Sequence, residues 1–430
     1  LAPQPFMENF LNKFFFRSRN LNYISNSLVN LTKQSPTNKI FEALNTYSDT
    51  SEVRYVGGCI RKVIKKEIVD DIDLATNLKP NEVCDALKKK NINFYETGLD
   101  HGTITAIIDE HKYEITSLRK DVTTDGRHAN VEFSLDWKED AARRDFSINS
   151  IYSDKEGNLF DPYNGKKDLE SGIINFIGNP ENRIKEDYLR ILRYIRFFLN
   201  YSSQSHNPKI IKIIKKNIQG VSKLSSERLI DELKKLAKSN AFEKLFKDQT
   251  SLELIEIIFP QLKNIRNFKK LNSYAIKNLS KVDFIFLLSV MIVDGTDNVD
   301  YFIYKFNISK KDQKRLKVID LFYKENVSIK NFTEKNFNKI FYFSGRQAVI
   351  DIINFKLFSS KTVEKKLLKL MNVYKDKVIP TLPIGANTLM NDFKIPEGKI
   401  LGTKLKLIEE TWVQNNFQIS EKQIKNIVKN

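Results

Sequence analysis

Two carboxylates one residue apart, Asp71 and Asp73, close a stretch that opens on a glycine pair: VRYVGGCIRKVIKKEIVDDIDLAT, residues 53–76. The apolar run Val53–Val56 stops at Gly57-Gly58, and a second run, Ile68 to Ala75, carries the two acids. Side chains alternate along a strand, so positions i and i+2 project to one side and both carboxylates face one spot. Like charges held side by side are costly unless a cation lies between them. Magnesium on the phosphates of a nucleotide meets that need, because it takes one or two carboxylates together with phosphate oxygens. The glycine pair removes the Cβ atoms that would keep backbone N–H groups away from a triphosphate. A glycine turn followed by a surface strand with solvated acids accounts for the same letters, and the pattern alone leaves both readings open.

Three further clusters lie downstream. In YEITSLR, 113–119, Glu114 offers either a third carboxylate from a neighbouring strand or a solvated one, since alternation sets it opposite Tyr113 and Ile115. Two-metal sites gain from an extra carboxylate near the nucleophile. In RRDFSIN, 143–149, Arg143 and Arg144 precede a strand and supply fork-shaped donors suited to phosphate oxygens. Asp145 and Asn149 can bond a ribose, and a surface ion-pair cluster is the alternative. In EDYLR, 186–190, a helix would set Asp187 and Arg190 at i and i+3 on one face. An ordinary intrahelical ion pair is one outcome, and reading of a base edge is the other. A carboxylate only accepts and a guanidinium only donates. Cytosine and adenine present an amino donor beside a ring-nitrogen acceptor, whereas guanine and uracil reverse the pair. An Asp–Arg pair facing the base therefore takes C and A, and a mismatch leaves buried groups unpaired at roughly 1–3 kcal/mol each.

These residues need elements to hold them. Residues 40–160 read as α/β, with apolar, often β-branched runs at 53–56, 68–75, 103–108, 113–118 and 148–153 and a helical stretch from Pro80 to Lys90. From about Arg183 the pattern is helical. Ser225-Ser226-Glu227 opens a helix with Leu229, Ile230, Leu233 and Leu236 on one stripe, and Gly220 ends the helix before it. A last helix over about 397–414 buries Leu401, Leu405, Ile408 and Trp412. Phe284 to Val293, bounded by Asp283 and Asp294, is half a membrane span and reads as a buried helix. Phe10 to Leu21 mixes Phe, Arg and Lys, as a first amphipathic helix or a mitochondrial targeting segment would. The net charge of +18 asks for a polyanionic partner, nucleic acid first and an anionic membrane surface second. Cys59 and Cys84 and the four histidines show no ligand spacing, which argues against structural zinc and a disulfide scaffold and for a reducing compartment.

With these motifs in this order, the chain resembles the class II tRNA nucleotidyltransferases, the CCA-adding enzymes, whose head is shared by bacterial poly(A) polymerases. The resemblance implies an α/β head on a small mixed sheet, of the polymerase-beta-like nucleotidyltransferase kind, followed by an all-α neck, body and tail. The implied boundaries are an N-terminal helical extension over 1–39, a catalytic head over 40–160, a neck with the base-recognition helix over 161–265, and a tRNA-binding body and tail over 266–430. It makes Asp71 and Asp73 magnesium ligands and, with Glu114, the catalytic carboxylates. Gly57, Gly58 and Arg61 would bind triphosphate, Arg143, Arg144, Asp145 and Asn149 sugar and phosphate, and Asp187 with Arg190 the base. Arg193 and Arg196 would join the nucleotide site.

SSERLIDEL, 225–233, is similar to the family's neck-stabilising motif, and ETGLDHGTITAIID, 96–109, to its CCA-type continuation. DGRHANVEF, 125–133, resembles the flexible loop that switches addition from C to A, with Asp125, Gly126 and Arg127 at its start. PIGANTLMNDFKIPEGKILG, 383–402, is similar to tail segments along the tRNA elbow. The implied activity is addition of CMP, CMP and AMP to the tRNA 3′ end from CTP and ATP, with Mg2+ as cofactor. The implied partners are the tRNA acceptor end and elbow, with no membrane, in the cytoplasm, or in the mitochondrion of a eukaryote. Lys62 follows Arg61 where the family usually has Asp, Lys66 stands where Gly is usual, and His128 where a second arginine is common. Two alternatives stand beside this reading: a sibling that makes poly(A) or adds only C or only A, and a tRNA-binding protein with a degenerate head.

Overall fold

β1 (Val53–Val56) ends at Gly57, whose φ of +68° and ψ of −110° are closed to a residue with a Cβ. From Gly58 the chain winds directly into α1 (Gly58–Lys65). The computed structural model describes residues 23–98, 102–124, 129–325 and 328–429. Among them one mixed sheet of seven strands runs in the order β3 (Asn93–Gly98), β4 (Thr103–Ile108), β5 (His111–Ser117), β2 (Asp73–Thr76), β1, β8 (Tyr152–Ser153) and β9 (Leu159–Phe160). Neighbours pair antiparallel except β2 and β5, which run parallel with Asp73 opposite Glu114. A separate hairpin joins β6 (Arg119–Thr124) to β7 (Ala129–Phe133).

Strand alternation gives the sheet two dry faces. Val53, Tyr55 and Leu74 pack with Ile60, Val63, Val83, Leu87 and Ile115 on one side. Val56 and Ala75 pack with Leu118, Trp137, Ala141 and Tyr152 on the other. Asp73, two residues before Ala75, belongs to this second side, where α2 (Trp137–Ala142) lies.

Three expectations are corrected here. The run 68–75 is strand only from Asp73, so Asp71 lies in irregular chain just before β2. Charges at Lys65, Lys66, Glu67, Asp70 and Asp71 keep that segment wet, and Ile68 is 88% exposed. The run 148–153 is strand only at Tyr152–Ser153; Ser147–Asn149 forms a 3-10 turn instead. Local bonds from the Ser150 hydroxyl to the Ser147 carbonyl, 2.8 Å, and from Asn149 Nδ2 to Asp145 Oδ1, 2.7 Å, favour the turn. Gly220 does not end a helix but sits within the 3-10 turn Ile218–Lys223, where a Cβ would lie 2.0 Å from the Tyr188 ring.

Beyond β9 the described elements are helical, among them α3 (Pro180–Glu186), α4 (Leu189–Tyr201) and α5 (Ser226–Ala237). By its contacts the chain divides between Arg228 and Leu229. In the second unit Phe284–Ile292 is a buried helix whose first turn is capped by Asp283, which accepts from the Phe286 N–H at 3.0 Å. The helix Lys399–Gln414 buries Leu401, Ile408 and Trp412, and Lys310, Lys311, Lys314 and Lys317 face solvent on the helix Lys310–Glu325. Among the described residues no helix is long and apolar enough to cross a membrane.

Candidate active site

The open end of β2 concentrates negative charge. The carboxyl of Asp73 is pushed up to about 6, first by burial and then by the charges of Asp71 and Glu114. Arg144 and Arg61 pull the other way without balancing them. Glu114 is exposed, yet its register opposite Asp73 and its charge place it in the same electrostatic neighbourhood. A carboxylate group short of positive charge suits a divalent cation. Among the described residues no three His, Cys, Asp or Glu side chains form a metal cage. Two aspartates suit a cation that completes its shell with phosphate and water, as magnesium does. Behind β1, the Cys59 thiol donates to the Val56 carbonyl at 3.4 Å, and burial pushes it up to about 12, which leaves it inert.

The arginines are aimed by two buried aspartates. Asp140, on α2, accepts from Arg143 Nε at 2.8 Å, Arg144 Nη2 at 3.1 Å and the Tyr152 hydroxyl at 2.7 Å. Burial opposes its ionisation, but Arg144 and Arg143 outweigh that and hold it at about 2. Asp145 accepts from Arg193 Nε at 2.6 Å, Asn149 Nδ2 at 2.7 Å and the Phe146 N–H at 2.9 Å. Burial again opposes its charge, and Arg193 and Asn149 nevertheless keep it well below the usual carboxylate range. Asn149 in turn accepts from Arg61 Nη1, so Arg61, Asn149, Asp145 and Arg193 form one hydrogen-bonded chain from α1 to α4. Arg61 thus has a partner although Lys62 stands where an aspartate is usual; Lys62 itself pairs with Asp70. Arg196 lies on α4 one turn beyond, its guanidinium carbon 4.3 Å from the Phe197 ring centroid.

The helix expected to carry both Asp187 and Arg190 is broken between α3 and α4. Asp187 is extended, with φ −152° and ψ 104°, and accepts from the Leu189 N–H at 3.1 Å and Arg228 Nη2 at 2.8 Å. Arg190 donates to Glu186 at 2.8 Å and to the Arg183 carbonyl at 2.7 Å. Pro180 and the Asn179 cap start α3, and the Leu189 N–H, donating to the Asp187 carboxylate, helps start α4 anew. The i, i+3 face assumed for this pair is therefore replaced by two separate anchors.

Sequence reasoning missed Asp140 and Arg183. The spacing of Asp140 to Arg143 and Arg144, i to i+3 and i+4, was a usable signal. Arg183 gives none, since Nη2 donates to backbone carbonyls of Arg143 and, at 2.7 Å, Arg144, some forty residues away. The loop residues Asp125, Gly126 and Arg127, and the segment Phe10 to Leu21, lie outside the described residues.

Residues 53–175 match the family described as "Poly A polymerase head domain", and residues 207–266 match "Probable RNA and SrmB- binding site of polymerase A". The chain is 31% identical over 396 residues to the human CCA tRNA nucleotidyltransferase 1, mitochondrial, covering 89% of this chain and 87% of that protein. It is 31% identical over 307 residues to a CCA-adding enzyme of Staphylococcus haemolyticus, covering 70% of this chain and 72% of that one. In fold it resembles the Bacillus stearothermophilus CCA-adding enzyme solved in complex with CTP, with a TM-score of 0.67 at 20% identity over 91% of this chain and 95% of that one. It also resembles the Thermotoga maritima CCA-adding enzyme complexed with tRNA, with a TM-score of 0.57 at 18% identity over 94% of this chain and 98% of that one.

Proposed function

The chain belongs to the class II CCA-adding nucleotidyltransferases, and from that premise we propose that it adds CMP, CMP and AMP in turn to the 3′ end of tRNA, taking CTP and ATP without a nucleic-acid template and releasing pyrophosphate. The observation that carries this reading is the excess negative charge of Asp71, Asp73 and Glu114 at the end of β2, within the field of Arg61 and Arg144. Asp71 and Asp73 are the residues that would hold magnesium, which when bound lowers the pKa of the attacking 3′ hydroxyl and steadies the leaving oxygens.

The remaining residues bind and orient. The turn at Gly57-Gly58 lets backbone N–H groups reach the triphosphate, and Arg61, Arg193 and Arg196 supply positive charge. Arg143 and Arg144, fixed by Asp140, suit phosphate oxygens. Three acceptor sites of Asp145 are taken, which leaves a carboxylate with about four room for roughly one sugar hydroxyl, beside Asn149. Asp187 and Arg190 choose the base. Anchored separately, neither cancels the other's hydrogen-bonding capacity toward cytosine or adenine.

We keep the head at 40–160, the neck at 161–265 and the body and tail at 266–430 as part of this proposal. Exposed lysines such as Lys310, Lys311 and Lys314 would grip the RNA backbone by charge, so tRNA affinity should fall steeply with salt. The compartment is the mitochondrion, for which the human and mouse relatives are named, or the cytoplasm.

Purified protein incubated with tRNA lacking its terminus, magnesium and each labelled nucleotide, singly and together, tests the reading. Three additions ending in A support it. Long A tails, or arrest after two residues, select a sibling activity, and RNA binding without incorporation selects a degenerate head.

A further inference from the structure

The side chain of Tyr188 rests on a glycine. Gly220 lies in the 3-10 turn Ile218–Lys223, and a Cβ built on it would stand 2.0, 2.2 and 2.3 Å from Cε1, Cδ1 and Cζ of the Tyr188 ring. Its φ lies outside the left-handed region, so the backbone would accept alanine and it is the ring that forbids it. The turn is not free to draw back, because Ile218 and Val221 are buried at 7% and 4% exposure. Lys223, at the end of the turn, reaches over the same ring, its Nζ 5.8 Å from the centroid. Tyr188 is the residue between Asp187 and Leu189 at the break between α3 and α4. Its carbonyl accepts from the Ile191 N–H at 3.1 Å, and the Asp187 carbonyl accepts from the Arg190 N–H at 3.1 Å, so the first turn of α4 is built on these two residues. Arg228, on the same side of the sequence as Gly220, takes the Asp187 carboxylate at 2.8 Å. One short stretch of chain, 218–228, therefore grips both residues of the break.

We propose that Gly220 is a positioning residue for base selection: its missing Cβ seats the Tyr188 ring, and the seated ring holds the break from which Asp187 presents its carboxylate to the base. The proposal rests on the base-reading role given to Asp187 above. Asp187 is extended, with φ −152° and ψ 104°, and this conformation sets where its acceptor oxygens stand. A methyl group at position 220 displaces the ring, the ring shifts the backbone beside it, and the carboxylate loses its register with the amino group of cytosine or adenine. Bulk at position 220 then weakens the rejection of uracil, a consequence that loss of packing elsewhere in the chain does not share.

The experiment compares Gly220→Ala, Tyr188→Ala and the double variant in the full chain. Discrimination is read as the ratio of single-turnover addition rates from CTP and from UTP on tRNA lacking its terminus. Hydrogen exchange at the Leu189, Arg190 and Ile191 amides, followed without nucleotide or tRNA, reads the start of α4 directly. Gly220→Ala should lower the CTP to UTP ratio by about tenfold and speed exchange at those amides, and Tyr188→Ala should lower the ratio as well. Adding Gly220→Ala to Tyr188→Ala should change nothing further, since the ring it would strike is gone. Gly157→Ala is the control, because a Cβ there would lie 2.6 Å from the Ser25 carbonyl oxygen; it should melt lower than wild type with the ratio unchanged. A wild-type ratio in Gly220→Ala or in Tyr188→Ala overturns the proposal, as does an equal effect of Gly220→Ala with and without the ring. If Gly220→Ala fails to fold and the double variant folds, the rescue upholds the seat, and the ratio in Tyr188→Ala decides its part in base selection. Asp187→Ala separates the two claims: should it keep the wild-type ratio, base reading by Asp187 fails, and exchange at the start of α4 alone decides whether Gly220 seats the ring.

Discussion

Arg228 holds Asp187: Nη2 to Oδ2 is 2.8 Å, across 41 positions of chain. The carboxylate that would read the base is therefore aimed from α5, while Arg190, three residues away, is aimed by Glu186. This gives the SSERLIDEL stretch a concrete task, because Arg228 is its arginine.

Removing Arg228 should leave Asp187 with its Leu189 N–H bond and a freer carboxylate. A charge-assisted bond is worth about 1.5–3 kcal/mol, so Arg228→Ala should lower kcat/KM for CTP and ATP by roughly tenfold to a hundredfold. Arg190→Ala should behave differently, relaxing choice so that UTP and GTP are incorporated. Single-turnover extension with each of the four nucleotides measures both. Full C and A selectivity in Arg190→Ala would refute the base-reading argument.

Asp73 carries a charge that its surroundings disfavour, since burial and its acidic neighbours raise its pKa. Asp73→Asn should abolish transfer, as should Asp71→Ala. In EDTA at neutral pH, Asp73→Asn should also melt higher than wild type, by about 2–4 °C if relief is near 1 kcal/mol. A lower melting temperature would show that Asp73 stabilises the sheet end and is not strained there.

Asp140 predicts the opposite sign. Arg144 and Arg143 hold its carboxyl at about 2 in the folded chain, below the ordinary aspartate value of 3.8. The stability it contributes is present above pH 4 and is lost as pH falls through about 2. Asp140→Asn should cost roughly 2 kcal/mol at pH 7, and the deficit should shrink as both proteins are unfolded at progressively lower pH. Denaturant titrations at pH 7, 4 and 3 check this. Because Arg143 and Arg144 lose their anchor, nucleotide affinity should fall as well. A stability gap that is constant from pH 7 to pH 3 would disprove the linkage.

Some of this was legible in the letters. The glycine pair after the apolar run Val53–Val56 pointed to the turn, and the spacing of Asp71 and Asp73 to a pair of carboxylates, while Glu114 was left open between a third carboxylate and a solvated one. What failed was local geometry set by distant partners. Asp187 and Arg190 read as one helical face because nothing in EDYLR reveals that Arg228, 41 positions on, takes Asp187, although Glu186, four residues before Arg190, was in view. The stretch 148–153 looked β-branched enough for a strand, yet Asp145 captures the Asn149 side chain and bends its start into a turn. Gly220 read as the end of a helix, and its contact with the Tyr188 ring exists only once the turn Ile218–Lys223 meets the start of α4.

The order of strands across the sheet bears on how this protein is made. β2, which begins at Asp73, is flanked by β1 and by β5, and β1 also needs β8, which ends at Ser153. A ribosome must therefore release β5, which ends at Ser117, before β2 is walled on both sides, and β8, which ends at Ser153, before β1 is; non-local pairing of that kind forms slowly. A nascent chain stalled before Ser153 would leave β1, the strand that runs into the Gly57 turn, paired on one side only.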